Sequence, residues 1–467
     1  MEKAGIPTVR FGFWDQEKYF DRTALLNNVP ELRWVTIERT GTPETRLYPI
    51  VPALIAALTD PLTEEEMYVG TYVPEMPDRY IFEGTYDEAI EFFNTAEHVD
   101  SANADINIHT DGGPIIPPTE AKVAEMLTGT SLSPDTVVTN EQGSPAKFAR
   151  YETVTVEKVA IIGVMAGCKP EYMPILLAIA AAGGGSTNCP GTSSSMGIVF
   201  IVDGPIAKEI GLSARHEFLD IGNRANVTLA KAARLMTVNY GGCVTGITRT
   251  DAGNPLCLVV AEDTDNLPAG WETVGEDYGY TREDSILVKS SPRGFGVNEF
   301  APGASRRLQD GIGSIADDLG VLGIPGPHNV LEWLAPRIAP LIMQDGHAFF
   351  IVPNLAKPLG ELFPTKQAVY EWLFNTYKAT IRDYQRHGWW EFSTSLGDRV
   401  EGTNEWGYTF NELIDKFGVD YPIPIFGSRN PKENLILVGG GGADESIWHF
   451  YYYGSARGRA SSIDRWR

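Results

Sequence analysis

Residues 155–174, TVEKVAIIGVMAGCKPEYMP, read as an apolar helix, a tight turn and a second helix, with Cys168 in the turn. Gly167 suits the position just past a helix, where the backbone turns left-handed. Pro170 and Glu171 suit the first turn of the next helix. Cys168 is therefore expected beside a helix N-terminus, where the dipole favours a thiolate. A thiol there can serve as nucleophile, redox group or soft metal ligand. The plainer alternative is a buried cysteine filling a helix–helix corner, since cysteine packs as a small apolar side chain.

Working outward, residues 120–300 read as a compact α+β core. The helices around Cys168 come first, and Thr119 is placed to cap a short helix ending at Leu127. The loop Gly183–Ser195 follows, then a buried strand Ile198–Val202 and a turn at Asp203-Gly204-Pro205. A helix is predicted over Val227–Val238, before Gly241-Gly242, and a strand over Leu256–Val260. Towards the N-terminus, Ile6–Phe13 and Trp34–Ile37 read as strands with a helix near Gln16–Asn27 between them, a truncated, Rossmann-like α/β unit. A helix near Val51–Leu58 follows. Thr63 with Glu66 and Thr85 with Glu88 are capping-box pairs. In the last third Thr365 starts a helix that Gly388 could end, and Leu435–Val438 is a strand running into four glycines. The expected organisation is a partial α/β domain over 1–95, an α+β core over 96–300 and a C-terminal extension over 301–467.

The 467 residues carry a formal charge of −23, from 38 basic and 61 acidic side chains. Such a surface repels nucleic acid and anionic lipid. The four cysteines (168, 189, 243 and 257) form no Cys-x-x-Cys pair and are too few for a disulfide framework, which fits a reducing cytoplasm. No signal peptide is visible, and the longest apolar run, Met173–Ala182, is too short to span a bilayer.

The loop Gly183–Ser195 is dense in small hydrogen-bond donors around Cys189. Consecutive backbone N–H groups in such a loop make anion sites, to which Ser186, Thr187, Thr192 and Ser193 add hydroxyls. The alternative is a surface loop. Gly222–Thr228 precedes a helix: Arg224 offers a planar fork for a carboxylate, Asn223 adds an amide, and Asn226 is expected to act as N-cap. The glycines after Val438 lack the spacing of a phosphate-binding fingerprint and read better as a tight turn. The seven histidines form no metal motif. His109 with Asp111 is a thin ligand pair for which a solvated loop is the better reading, so no metal is assigned. No cofactor is named by the sequence.

Five stretches taken together resemble the UGSC-like (seleno)protein family, in which U is selenocysteine. They are Glu2–Thr8; Asp111-Gly112-Gly113-Pro114 with Pro117-Pro118-Thr119; Ala166–Tyr172; Asp203-Gly204-Pro205-Ile206; and Gly222–Asn226. The resemblance covers roughly the first two thirds. In this family the Gly-Ile-Pro-Thr strand comes shortly after a Gly-Ser-Cys turn preceded by selenocysteine or cysteine, and this chain opens just past that point. Three explanations fit: the motif is on a separate subunit, the reading frame starts after a UGA codon, or the thiol module is lost. Gly113 stands where the family usually has a bulkier residue, and the Cys189 loop looks specific to this chain.

The resemblance implies thiol or selenol redox chemistry, as in the substrate-specific subunits of glycine and proline reductases. The resulting expectation is a cytoplasmic, oligomeric enzyme subunit performing thiol-dependent or reductive cleavage of a small polar or anionic substrate. Cys168 and Cys189 would be its thiols, with a partner subunit supplying the missing module. The rivals are a non-redox lyase or hydratase with structural cysteines, and an assembly protein without chemistry.

Overall fold

The computed structural model describes residues 5–13, 17, 32–38, 41–67, 81–94, 109–146, 148, 153–184, 197–219, 221–241, 256–292, 294–300, 346–386, 410–427, 430–441, 446–452 and 455–467. The protein is mixed α+β, and the described strands form four small sheets, none closed into a barrel. Two compact units are present. The first holds residues 1–195, 231–253 and 466–467; the second holds 196–230 and 254–465. The units are discontinuous in sequence, unlike the three contiguous segments drawn above.

In the first unit, β1 (Arg10–Phe13) and β2 (Trp34–Ile37) pair in parallel, Arg10 opposite Trp34 and Phe13 opposite Ile37. The helix expected between them lies outside the described residues, apart from Glu17. Next comes α1 (Val51–Thr59). Its C-terminal end is held by Arg33, whose guanidinium donates to Ala57 O, Asp60 O and Pro61 O at 2.5, 2.9 and 2.8 Å. Glu66 grips the same guanidinium at 2.6 and 2.8 Å and closes the capping box with Thr63. The second box, Thr85 with Glu88, opens α2 (Tyr86–Asn94).

Further along, α3 (Glu120–Leu127) is capped by Thr119, which accepts from Lys122 N–H at 3.4 Å. Thr155 caps α4 (Val156–Ala166) in the same way, and α5 (Met173–Ala181) follows. Every side chain of α5 is buried. A helix apolar on all faces needs cover on all faces. Gly163 lets α4 and α5 approach, since a Cβ there would stand 2.8 Å from Leu176 Cδ1.

The second unit contains β3 (Ile198–Asp203), the start of α6 (Arg224–Asn239), β4 (Cys257–Ala261), β5 (Ile286–Ser290), β6 (Gly294–Phe300) and β7 (His347–Ile351). Then come α7 (Pro353–Leu362), α8 (Lys366–Thr376), β8 (Lys378–Thr380), β9 (Pro422–Pro424), β10 (Leu435–Val438), β11 (Ser446–Tyr451) and β12 (Arg459–Ser462). One sheet has the order β12-β5-β3-β4, with β3 and β4 parallel and the other pairs antiparallel. A second has the order β10-β7-β11-β6, with only β10 and β7 parallel.

The twofold alternation of strand side chains explains the layering. Val199, Ile201 and Val288 of the first sheet share a core with Ala348, Phe350 and Leu437 of the second. The intervening residues Phe349, Ile351, Ile436 and Val438 pack instead with Leu355 and Leu359 of α7 and Val369 and Leu373 of α8. The second sheet is therefore covered on both faces, which is why its strands read as continuous apolar runs.

The helix from Thr365 is shorter than expected. Thr365 caps it through Ala368 N–H at 3.1 Å, but it ends at Thr376. Tyr377 is extended, its carbonyl accepts from Ile425 N–H at 3.1 Å, and β8 pairs antiparallel with β9. A new helix, Ile381–Arg386, starts behind a Thr380–Asp383 capping pair.

Candidate functional site

The turn around Cys168 closes α4 as the glycine predicted. Gly167 is left-handed, with φ 81°. Its N–H donates to Val164 O and that of Cys168 to Gly163 O, both at 2.9 Å, the paired arrangement that ends helices at glycine. The second helix departs from expectation. A three-residue 3₁₀ turn, Pro170–Tyr172, stands between Cys168 and α5, so Cys168 does not border an α-helical N-terminus. Its backbone N–H serves the C-terminus of α4, and its residue is only 7 % exposed.

Cys189, Ser186, Thr187, Thr192 and Ser193 lie outside the described residues. The described part of their loop begins at the far end of α5, where Gly184 N–H closes the helix onto Ile179 O at 2.7 Å. Nine helical residues span about 13 Å. Cys168 and the start of this loop are thus at opposite ends of one helix.

Asp111 is not a solvated loop residue. Its Oδ1 accepts from Lys231 Nζ at 2.8 Å and its Oδ2 from Arg234 Nε at 2.9 Å, both cations coming from α6. Burial raises the Asp111 carboxyl, but the hydrogen bonds from Lys231 and Arg234 outweigh it and hold the group below the usual carboxylate range. Both oxygens are committed to cations, which argues against the metal-ligand reading. His109 packs tilted against Phe92 and edge-on against Phe93, at 6.1 and 5.2 Å between ring centroids. Among the described residues no group of three or more His, Cys, Asp or Glu could hold a metal ion. Gly113 is matched to the cluster: a Cβ there would lie 3.0 Å from Lys231 Nζ.

The cluster has two cations and one carboxylate. Asp111 and Lys231 are largely buried, while the Arg234 side chain stays 43 % exposed. The same loop reaches the cysteine corner, because Ile116 N–H donates to Met165 O at 3.1 Å. Two stretches far apart in sequence, Asp111–Thr119 and Ala166–Tyr172, are thereby joined in one unit. Lys231 and Arg234 escaped the sequence reading. Their spacing of three on one helix was the available signal, but nothing in the sequence tied them to Asp111.

In the second unit the helix cap is Asn223, not Asn226. Asn223 Oδ1 accepts from the N–H groups of Ala225 and Asn226 at 2.9 and 3.2 Å, so α6 begins at Arg224. Asn226 is buried within the first turn. Its Oδ1 accepts from Ser213 N–H at 2.9 Å, and its Nδ2 donates to Ser213 O and Val259 O, both at 3.0 Å. That amide ties a loop to β4. Arg224 is exposed at the helix start.

A buried polar centre that the sequence did not announce lies at the C-terminal ends of the parallel strands β3 and β4. Asp203 ends β3; Glu262 and Asp263 follow β4. Glu262 Oε1 accepts from Lys366 Nζ at 2.6 Å and Val438 N–H at 3.2 Å, and its Oε2 from Val274 N–H at 2.7 Å. Asp203 accepts from Gly275 N–H at 2.7 Å, and Asp263 from Arg215 Nε at 3.0 Å. These carboxylates are sealed and fully occupied, which marks a structural staple.

Comparisons with protein-family models, curated proteins and solved structures give no significant match. Among the described residues no helix is long and apolar enough to cross a membrane.

Proposed function

We propose that the chain is a cytoplasmic enzyme subunit that binds a small anionic substrate at Lys231 and Arg234 and cleaves it by thiol-dependent chemistry involving Cys168. The observation that carries this reading is the surplus cation of the Asp111–Lys231–Arg234 cluster, on a loop hydrogen-bonded to the end of the helix that Cys168 follows. Asp111 positions the two cations, and the partly exposed Arg234 offers its remaining donors to a carboxylate or phosphate. In a reductive cleavage the two electrons come from joining Cys168 to a second thiol or selenol, on a partner subunit of the UGSC-like kind, as a disulfide or selenenylsulfide. The two protons released pass to the two fragments of the substrate, which balances the step.

Binding of oxalate and of inorganic phosphate, followed by calorimetry, tests the anion site. Wild type is expected to bind at least one of them. Arg234→Gln, which leaves Asp111 paired with Lys231, should weaken that binding at least tenfold; no binding, or equal binding by the variant, refutes the reading.

The burial of Cys168 favours a second reading, a non-redox lyase or hydratase that uses the same cations with a structural cysteine. Cys168→Ala separates the two, because anion binding survives in both while thiol-dependent turnover is lost only in the first.

A further inference from the structure

Residues 47–59, LYPIVPALIAALT, contain no charge, and the helical part is apolar on every face. A helix of that composition is ordinarily buried all round. Here α1 has no buried residue. Leu54 and Ala57 turn partly inward, while Leu47, Val51, Ile55 and Leu58 are 42, 42, 56 and 51 % exposed. Spacings of four and three place Val51, Ile55 and Leu58 on one face of α1, and Leu47 stands just before the 3₁₀ turn Tyr48–Ile50 that leads into it. Tyr48, at 64 % exposed, borders the stripe. The helix is nevertheless firmly placed, since Arg33 takes three carbonyl oxygens at its C-terminal end and is itself held by Glu66. The fold fixes this helix through polar contacts at one end and leaves its apolar stripe outward.

The exposed charges that flank the stripe in sequence have one sign, and the two arginines nearby, Arg33 and Arg46, are half-buried and engaged. Glu44 precedes it, and Asp60, Glu64 and Glu65 follow it, all exposed. The lone basic residue between positions 41 and 67 is Arg46, whose Nε donates to Glu38 O at 2.7 Å. A second copy is therefore a poor occupant. Two-fold pairing of antiparallel helices would set Glu44 of one copy against the acids at Asp60–Glu65 of the other. An anionic membrane is repelled for the same reason.

We propose that the Leu47–Val51–Ile55–Leu58 stripe is a docking surface for a protein partner whose contact face is apolar and framed by lysine or arginine side chains. Apolar knobs at helical spacing supply the contact area, and the acidic flanks select the sign of the rim. The proposal stands apart from the reading of the Lys231–Arg234 cluster and survives its failure.

The test uses the full chain and the double variant Ile55→Asp/Leu58→Asp. Two synthetic amphipathic helical peptides serve as probes, each with a leucine stripe, one flanked by lysines and the other by glutamates. Wild type is expected to bind the lysine-flanked peptide at least tenfold more tightly than the glutamate-flanked one, with affinity falling as salt rises. The variant should lose at least tenfold in affinity for the former while keeping the wild-type melting temperature and the wild-type size in solution.

Four results overturn the proposal. Equal affinity for the two peptides removes the charge argument, and undiminished binding by the variant reduces it to diffuse attraction. A large drop in the variant's melting temperature shows that the chain covers the stripe itself. A wild-type dimer that the variant dissociates shows that a second copy does.

Discussion

Lys366 Nζ lies 2.6 Å from Glu262 Oε1, and both side chains are shut off from solvent. The contact joins the first residue of α8 to the end of β4. Burial pushes the Glu262 carboxyl above its ordinary range, while Lys366 pulls it back. Removing one partner leaves a buried charge without its counter-ion, which typically costs about 3–5 kcal/mol. Lys366→Met is expected to destabilise the unfolding transition of the second unit by that order. Lys366→Met/Glu262→Gln should recover part of the loss, measured in urea. A double-variant loss equal to the sum of the Lys366→Met and Glu262→Gln losses would show that the two groups are not coupled.

The histidine pair of the second sheet predicts a pH dependence. His347 Nδ1 stands 2.8 Å from His449 Nε2, and His347 Nε2 lies 3.1 Å from Ile425 O. Since Ile425 O only accepts, His347 carries its proton on Nε2 and His449 donates to His347 Nδ1. His449 Nδ1 is then a buried acceptor, with no hydrogen-bond partner in the structure. Burial lowers His347 to about 3 and puts His449 well below its usual value. The folded state thus binds fewer protons than the unfolded one below about pH 6.5. This contribution is fully present above that pH and is lost as pH falls towards 3, with a slope of up to about 1.4 kcal/mol per unit per histidine. Urea midpoints between pH 7 and 4 should fall more steeply for wild type than for His347→Phe/His449→Phe, whatever that variant's stability at pH 7. Parallel profiles would contradict the downward shift of the two buried histidines.

The two asparagines at the start of α6 are expected to differ. Asn223→Ala removes a helix cap, a loss of about 1 kcal/mol. Asn226→Ala strands Val259 O in a buried setting and Ser213 N–H and Ser213 O in a partly buried one, each worth about 1 kcal/mol. Chemical unfolding should therefore rank Asn226→Ala as the more damaging. The opposite ranking would show that the Asn226 amide contributes less to stability than the Asn223 cap does.

Thiol reactivity should separate Cys257 from Cys168. Cys257 is half-buried on β4, with its Sγ 3.5 Å from Ala230 O, whereas Cys168 is buried. Timed alkylation with iodoacetamide, mapped by mass spectrometry, should label Cys257 first and Cys168 only after a lag. Rapid labelling of native Cys168 would mean that its corner opens readily, which strengthens the nucleophile reading.

Much of the local structure was legible in the sequence because it rests on short-range chemistry. Thr63–Glu66, Thr85–Glu88, Thr119, Thr155, Gly167 and Thr365 each do in the structure what their spacing predicts. The strands at Ile198, Cys257 and Leu435 announced themselves as apolar runs, since sheets covered on both faces leave no polar positions. Where the sequence misled, tertiary contact won over pattern. β8 interrupts the helix expected to reach Gly388 because β9 pairs with it, and Asn226 is buried by a loop that local propensity cannot see.

The sequence alone determined where helices start and stop, because caps and left-handed glycines act within one turn of the chain. Which charges meet was decided only by tertiary structure. Asp111 finds Lys231 and Arg234 across more than a hundred residues, and Glu262 finds Lys366 in the same way. The outward stripe of α1 belongs with these: composition says that such a helix needs cover, and only the fold shows which face is left open. The physical reason is range, since capping is a matter of a few ångströms along one backbone, whereas charge pairing and burial depend on segments that the chain brings together only by folding.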